Sequence, residues 1–387
     1  MPDGSEPLTI RVIAQVGEIG ATDWDRCAGT SNPFVSHAFL SALEESGSVK
    51  AKTGWQPQHL VLQGGAERVL GVMPLYLKSH SYGEYVFDHA WADAYERAGG
   101  NYYPKLLSAV PFTPVPGPRL LVRPDEDAGT TRRALAAGMV ELARRHDVSS
   151  THVNFVDADQ ASTLAEMGFM IRHGHQFHWH NRGYGSFEDF LGDLASRKRK
   201  AIRKERRRIA ESGITIEALT GDTIRSAHWD AFYRFYIDTY DRKWGFPYLT
   251  RDFFDILAHR MADRVVLVMA FVDGHFIAGA LNLRGDDALF GRNWGSDVAY
   301  KFLHFEACYY QAIDFAIAHG LSRVEAGTQG EHKIQRGYLP VRTQSAHWFA
   351  DAGMAQAIDQ FLTRERGYEA AALEALARNS PFRQADD

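Results

Sequence analysis

The sequence predicts an α/β protein made of two tandem domains, each built on a mixed, mostly antiparallel sheet. Three observations carry this. A chain of 387 residues is too long for one ordinary core. Apolar residues make up 45% and charged residues 24%, the balance of a globular protein. And one order of elements, an antiparallel hairpin followed by a helix and a short parallel-type strand, occurs twice.

The elements follow in order. "LTIRVIAQV" (8–16) alternates as a strand does, and "NPFVSHAFLSALEESG" reads as a loop and a helix capped near Ser36. "QHLVLQ" and "RVLGVMPLYLKS" form a hairpin around a Gly-containing turn. Residues 82–105 are aromatic without a clear period, and five prolines in "LLSAVPFTPVPGPRLLV" rule out a regular central strand. A helix ("TTRRALAAGMVELARRHDV"), a strand ("THVNFV"), a short helix and the strand "FMIRHGHQFHWHN" complete the first half. Turn residues in "NRGYGS" place the boundary at Asn181–Ser186, giving domains 1–183 and 184–387. The second opens with a basic helix over about 187–212, then two helices and three antiparallel strands turning at Asp273-Gly274 and Gly285-Asp286. The helix "FLHFEACYYQAIDFAIAHG", the strand "SRVEAG" and a C-terminal helix close the chain.

Charge is concentrated in one place. Arg197–Arg208, "RKRKAIRKERRR", holds nine basic residues and one acidic, hence +8; with a chain total of −5 this leaves −13 elsewhere. A protein that coats nucleic acid spreads its positive charge more widely. Along this helix Leu191, Leu194, Ala195, Ile202 and Ile209 share one stripe, together with Lys198 and Glu205. Arg199, Arg203, Arg206 and Arg207 cluster on a flank, and such guanidinium forks favour phosphate. The competing reading is a solvated helix face.

Two cysteines, Cys27 and Cys308, give neither a disulfide framework nor a metal spacing, which fits a reducing cytoplasm. The first residues lack the basic-then-apolar order of a secretion signal, and no run of apolar residues is long enough to span a membrane. The four histidines of "RHGHQFHWHN" alternate faces without a carboxylate or Cys at ligand spacing, so no metal is expected, and no G-x-S-x-G nucleophile motif occurs.

The strongest candidate site is "EAGTQGEHKIQRGY" (325–338). Gly327 and Gly330 permit tight turns, and Lys333 and Arg336, three apart, suit a phosphate, a carboxylate or a developing oxyanion. Glu331 and His332 adjoin them as proton carriers. In "FGRNWGSD", Arg292 and Trp294 share a strand face, with Trp294 either stacking on a substrate or packing in the core. His304 and Tyr309 read as packing residues. Asp88, among the aromatic residues of 87–105, is a candidate acid whose burial would raise its pKa and let it accept a proton from an amine.

The order of strands, central helix and closing strand resembles the GNAT acyltransferase fold. A tandem of two such domains joined by a basic helix resembles the Fem aminoacyl transferases, and more narrowly the FemAB-like proteins of peptidoglycan biosynthesis or recognition. "NPFVSHAFLSALE", "PFTPVPGPRLL", "SRKRKAIRKERRRI", "LHFEACYYQAIDFAIAHGL" and "EAGTQGEHKIQRGYLP", across residues 32–348, carry the resemblance. It implies acyl or aminoacyl transfer onto an amine, from aminoacyl-tRNA or acyl-CoA, with no tightly bound cofactor. It also implies a phosphate-bearing acceptor, tRNA as a partner, and peripheral contact with a lipid-linked substrate. Lys333 falls on the family's cleft lysine, with Gln329, Gly330 and Arg336 beside it in substrate binding. Arg199 and Arg203 fall on the helix that offers cations to substrate phosphates. The departures are His332, where the family has an aromatic residue, and Arg336-Gly337, where it has an aromatic-Gly pair. Neither half carries the glycine loop that holds acyl-CoA pyrophosphate at a helix N-terminus. The competing readings are a GNAT-type acyl-CoA-dependent N-acyltransferase and a non-catalytic protein binding a peptidoglycan precursor or RNA.

Overall fold

A computed structural model describes residues 8–242, 245–327 and 330–383. The chain divides into two compact units, residues 1–174 with 343–370, and residues 175–342 with 371–387. The division differs from the 183/184 boundary read from the sequence. "NRGYGS" is a turn within the second unit, where the Asn181 side-chain oxygen accepts from Gly183 and Tyr184 N–H and its amide donates to Leu321 O. Most of the C-terminal helix counts with the first unit.

In the first unit, strand β1 (Thr9–Ile13) leads to helices α1 (Ala21–Ala28) and α2 (His37–Glu45), the latter capped by Ser36, whose hydroxyl accepts from Phe39 N–H. Strands β2 (Trp55–Pro57), β3 (His59–Gln63), β4 (Val69–Met73) and β5 (Tyr76–Lys78) follow, then α3 (His89–Arg97), β6 (Lys105–Ser108) and β7 (Leu121–Val122). Helix α4 (Ala128–Arg145), strand β8 (Ser150–Val156), helix α5 (Ala158–Glu166) and strand β9 (Met170–His180) complete the first half. β1, β3, β4 and β7 form one antiparallel sheet. β6 runs antiparallel to β5 and parallel to β8. Leu60, Leu62, Met73, Leu106, Leu135, Met139 and Val153 form the core beneath them.

The second unit begins with α6 (Phe187–Asp193) and α7 (Ser196–Ala210), then β10 (Thr215–Thr220), α8 (Ser226–Arg242) and α9 (Arg251–Arg260). The single basic helix expected over 187–212 is thus two helices. Leu194 is extended and bridges to Phe382, and Ala195 N–H donates to Pro381 O, so the backbone there pairs with the chain end. β11 (Val265–Val272), β12 (His275–Arg284) and β13 (Ala288–Ser296) are the three expected antiparallel strands. Asp273 and Gly274 both take positive φ, as their turn requires. The central helix comprises α10 (Leu303–Phe305), a π turn (Glu306–Tyr310) and α11 (Gln311–Ala318). Strand β14 (Arg323–Glu325) pairs with β13 in parallel and with β9 antiparallel. A 3₁₀ turn (Glu331–Arg336), strand β15 (Leu339–Phe349) and helix α12 (Ala352–Arg378) follow. Residues 344–349 of β15 pair antiparallel with β8 in the first unit. Trp179, Phe190, Leu289, Tyr310, Ile313, Val324 and Tyr338 are buried together in the second core. Among the described residues no helix is long and apolar enough to cross a membrane.

Candidate functional site

The site starts from how β13 and β14 part. They pair only over Ala288–Phe290 and Arg323–Glu325; β13 then runs on to Ser296 while Ala326 donates its N–H to Phe177 O on β9. Opposite β12, Leu281 faces Asn293 and Asn282 faces Gly291, so Arg292 is the extra residue of a bulge. A cleft of about 100 Å³ lies here, lined by Asn282, Arg292, Asn293, Trp294, His304, Cys308, Tyr309 and Ala326. The bulge breaks the alternation read from the sequence, so Arg292, Asn293 and Trp294 all reach the cleft wall. Trp294 lines the cleft and packs on the cluster around Ile209 and Leu303. His304 stands 5.3 Å from the rings of both Trp294 and Tyr309.

The 3₁₀ turn Glu331–Arg336 borders this cleft. It is framed by Gly330 (φ 102°) and Gly337 (φ 88°), backbone shapes that favour glycine. A side chain at Gly330 would also collide with the His332 ring. Lys333 is buried and donates to Ala326 O at 2.6 Å and Gly327 O at 3.2 Å. It has no carboxylate partner among the described residues, and burial pushes its ammonium down to about 8. His332 is exposed, with its Nε2 3.0 Å from the Tyr309 phenol oxygen. Desolvation, then the charges of Arg336 and Lys333, hold the imidazole below its ordinary pKa, so it is neutral at pH 7. Burial raises the Tyr309 phenol, which stays protonated.

Arg336 faces inward. Its guanidinium contacts both Glu205 oxygens at 3.0 Å, donates to His332 O at 2.8 Å and stacks 3.4 Å over Phe305. Gln329 lies outside the described residues.

The basic helix divides its charges into two sets. Lys198 and Glu205, the polar residues on its apolar stripe, hold the 3₁₀ turn: Lys198 donates to Gln335, and Glu205 accepts from Arg336 and Tyr310. Arg199 donates to Gly192 O and Leu194 O at the end of α6, and Arg203 pairs with Glu188. Arg206 pairs with Glu306 at 3.1 Å and Asp314 at 2.6 Å. Three cations of the flank read as a phosphate grip thus have partners within the fold. The other exposed cations are Arg197, Lys200, Lys204, Arg207 and Arg208, which have no carboxylate partner among the described residues. At 100° per residue they fall within about 100° of one another, forming a single stripe.

Asp88 belongs to the first unit, in a buried polar cluster. Lys105 donates to Asp88, to Glu84 at 2.8 Å and to Ser81 at 2.8 Å, and the Tyr102 hydroxyl donates to Asp88 at 2.7 Å. Lys78 lies 3.6 Å over the Trp55 ring and 3.8 Å from Glu84. Burial by itself would raise the Asp88 carboxyl, but Lys105 holds it well below the carboxylate range, the reverse of the sequence expectation. Burial pushes Glu84 up to about 7. Below the cluster, His152 and His347 share a 2.7 Å contact between their Nδ1 atoms, with Ser150 and Ser345 on the outer nitrogens.

The structure thus brings Lys333, His332, Gly330, Arg336, Arg292 and Trp294 together in the second unit, while Asp88 lies in the first. Sequence reasoning missed Tyr309, read as packing. It also missed Lys105, whose signal would have been a lone cation among apolar strand residues. Among the described residues no group of three or more His, Cys, Asp or Glu side chains is placed to hold a metal ion.

The family model FemAB-like, described as peptidoglycan biosynthesis/recognition, matches residues 15–384. The chain belongs to the FemAB-like family. No curated protein sequence matches it. Among solved structures, this FemAB-like chain is similar to FemX, with a TM-score of 0.56 at 12% identity, over 91% of this chain and 100% of that one. It is similar to a conserved protein of unknown function from Bacteroides thetaiotaomicron, with a TM-score of 0.53 at 12% identity, covering 88% and 99%. It is also similar to L-PGS from Bacillus licheniformis, with a TM-score of 0.52 at 10% identity, covering 87% and 97%. At such identities the likeness concerns the fold, which is the tandem GNAT-like arrangement expected from the sequence.

Proposed function

We propose that this FemAB-like protein transfers an aminoacyl group from an ester donor to an amine, with the chemistry in the cleft where β13 and β14 part. The observation that carries the reading is the link from Tyr309 in the cleft wall to the neutral His332, beside the buried cation Lys333. The acceptor nitrogen attacks the donor carbonyl carbon, and the carbonyl oxygen becomes an oxyanion. Lys333 supplies positive charge for it in a dry setting, where charge acts strongly. The amine proton passes to the Tyr309 oxygen as Tyr309 gives its own to His332 Nε2. His332 then returns a proton by the same route to the leaving alkoxide as the tetrahedral centre collapses. Asp88, ionised and held by Lys105 and Tyr102, is a poor base, and we assign it to holding the first unit together.

Two observations support a tRNA-borne donor over acyl-CoA. The exposed stripe from Arg197 to Arg208 suits a phosphate backbone rather than one small anion. The first turns of the central helix, where acyl-CoA enzymes hold pyrophosphate on backbone N–H groups, carry the buried carboxylate of Glu306 instead. The test is transfer from labelled aminoacyl-tRNA and from labelled acyl-CoA to a UDP-linked peptidoglycan precursor. The reading expects product from the first donor; product from acyl-CoA alone would replace it with the acyl-CoA-dependent reaction, and binding without product from either would indicate a recognition protein.

A further inference from the structure

The second unit holds another pocket, of about 360 Å³, on a different side of the central helix. His304 and Cys308 face the cleft described above, whereas Glu306 and Gln311 face this pocket. We infer that it binds a small aliphatic amino acid as its zwitterion, a site separate from the transfer cleft.

Three features define that ligand. Glu306 is 4% exposed, and its Oε1 accepts from Arg206 at 3.1 Å and from the Gln311 amide at 2.9 Å. Its Oε2 is buried and has no hydrogen-bond partner among the described residues. A buried carboxylate oxygen left without a donor is costly, and an ammonium group entering the pocket would satisfy it. Arg207, also lining the pocket, is exposed and has no carboxylate partner among the described residues. It offers a fork for a carboxylate. Ile209, Ile214 and Ile216 also line the pocket, an apolar surface suited to an aliphatic side chain. A phosphate would meet Glu306, and a simple amine would leave Arg207 unused. A group carrying both charges on an apolar stem satisfies all three. The Glu306–Tyr310 segment is a π turn, a backbone form frequent at functional sites.

The probe is L-leucine, titrated calorimetrically into the full chain at neutral pH. Its two half-analogues are 3-methylbutylamine, which lacks the carboxylate, and 4-methylpentanoate, which lacks the ammonium. The expected result is that leucine binds at least about tenfold more tightly than either. Arg207→Ala, a surface change that leaves the core intact, should weaken leucine at least about tenfold, and Glu306→Gln should do the same if its melting temperature shows it folded. Lys333→Ala should bind leucine as the parent does. The proposal is overturned if leucine gives no binding at millimolar concentrations, if the half-analogues bind equally well, or if Lys333→Ala abolishes binding while Arg207→Ala keeps it.

Discussion

The Tyr309 phenol oxygen and His332 Nε2 lie 3.0 Å apart, and this hydrogen bond links the wall of the cleft to an exposed imidazole. A proton taken up at Tyr309 therefore has a route to solvent that leaves the buried Lys333 undisturbed. Tyr309→Phe cuts this route. It is expected to lower the single-turnover transfer rate about 10²-fold, with donor affinity little changed. His332→Ala should lose a similar factor, and the double variant should be hardly slower than either single one, because both act on one path. Losses that multiply would contradict the relay.

The pH profile follows from the two groups flanking that bond. In the proposed mechanism His332 is the neutral base, and its pKa is held below the ordinary value, so activity should rise with pH through that lowered pKa and level off by neutrality. In the same mechanism Lys333 is the cation, its ammonium pushed down to about 8 by burial, so activity should fall above that value as it loses its proton. Lys333→Arg, which keeps the charge, should move the alkaline limb to higher pH. A kcat/KM profile flat well beyond about 8 would separate Lys333 from the chemistry.

Lys105 is fully buried with Glu84 and Asp88 on its ammonium. Lys105→Met leaves Asp88 without its cation and Glu84 with only Lys78, 3.8 Å away, and should destabilise the first unit by about 3–5 kcal/mol. Asp88→Asn retains the shape and removes one charge. Its melting temperature should fall while the transfer rate of the folded fraction stays within a few-fold of the parent. A stable Asp88→Asn protein with no activity would restore Asp88 as a catalytic base.

The basic helix separates by salt dependence. Replacing Arg197, Lys200 and Lys204 with Gln should reduce the slope of log affinity for tRNA against log salt by roughly two to three, with unchanged melting. Arg199→Gln and Arg203→Gln should do the converse, lowering stability with the slope intact, because Arg199 holds the end of α6 and Arg203 pairs with Glu188.

Gly337 ends the 3₁₀ turn at φ 88°, and a Cβ there would stand 2.8 Å from the Phe190 ring and 3.4 Å from Trp179. Gly337→Ala is expected to cost about 1–3 kcal/mol and to loosen the turn that carries Lys333. Thermal melting together with the transfer rate checks both parts.

Much of this architecture was legible in the sequence because its signals are local. Ser36 as a cap, the Asp273-Gly274 turn and the apolar period of the α4 segment each depend on a few neighbouring residues. β10 and β15 were not recognised. The "TIEALT" of β10 is a half-exposed strand whose order comes from pairing with β11, and β15 is specified by partners far away in the chain. The site was legible to the extent of Lys333 and His332 beside their glycines. Tyr309 was missed because its role depends on the π turn and on a contact 23 residues away. Arg199, Arg203 and Arg206 looked available because helical period alone does not reveal Leu194 O, Glu188 or Asp314 across from them. Lys198 and Glu205 were anomalies on an apolar stripe, and the 3₁₀ turn they hold accounts for them.

The most direct measurement is the single-turnover transfer of a labelled aminoacyl group from aminoacyl-tRNA to an amine-bearing peptidoglycan precursor, by the parent protein and by Lys333→Ala. The account predicts transfer by the parent and a rate at least about 100-fold lower for the variant, with tRNA still bound. A Lys333→Ala protein that binds the donor and transfers as fast as the parent would contradict it.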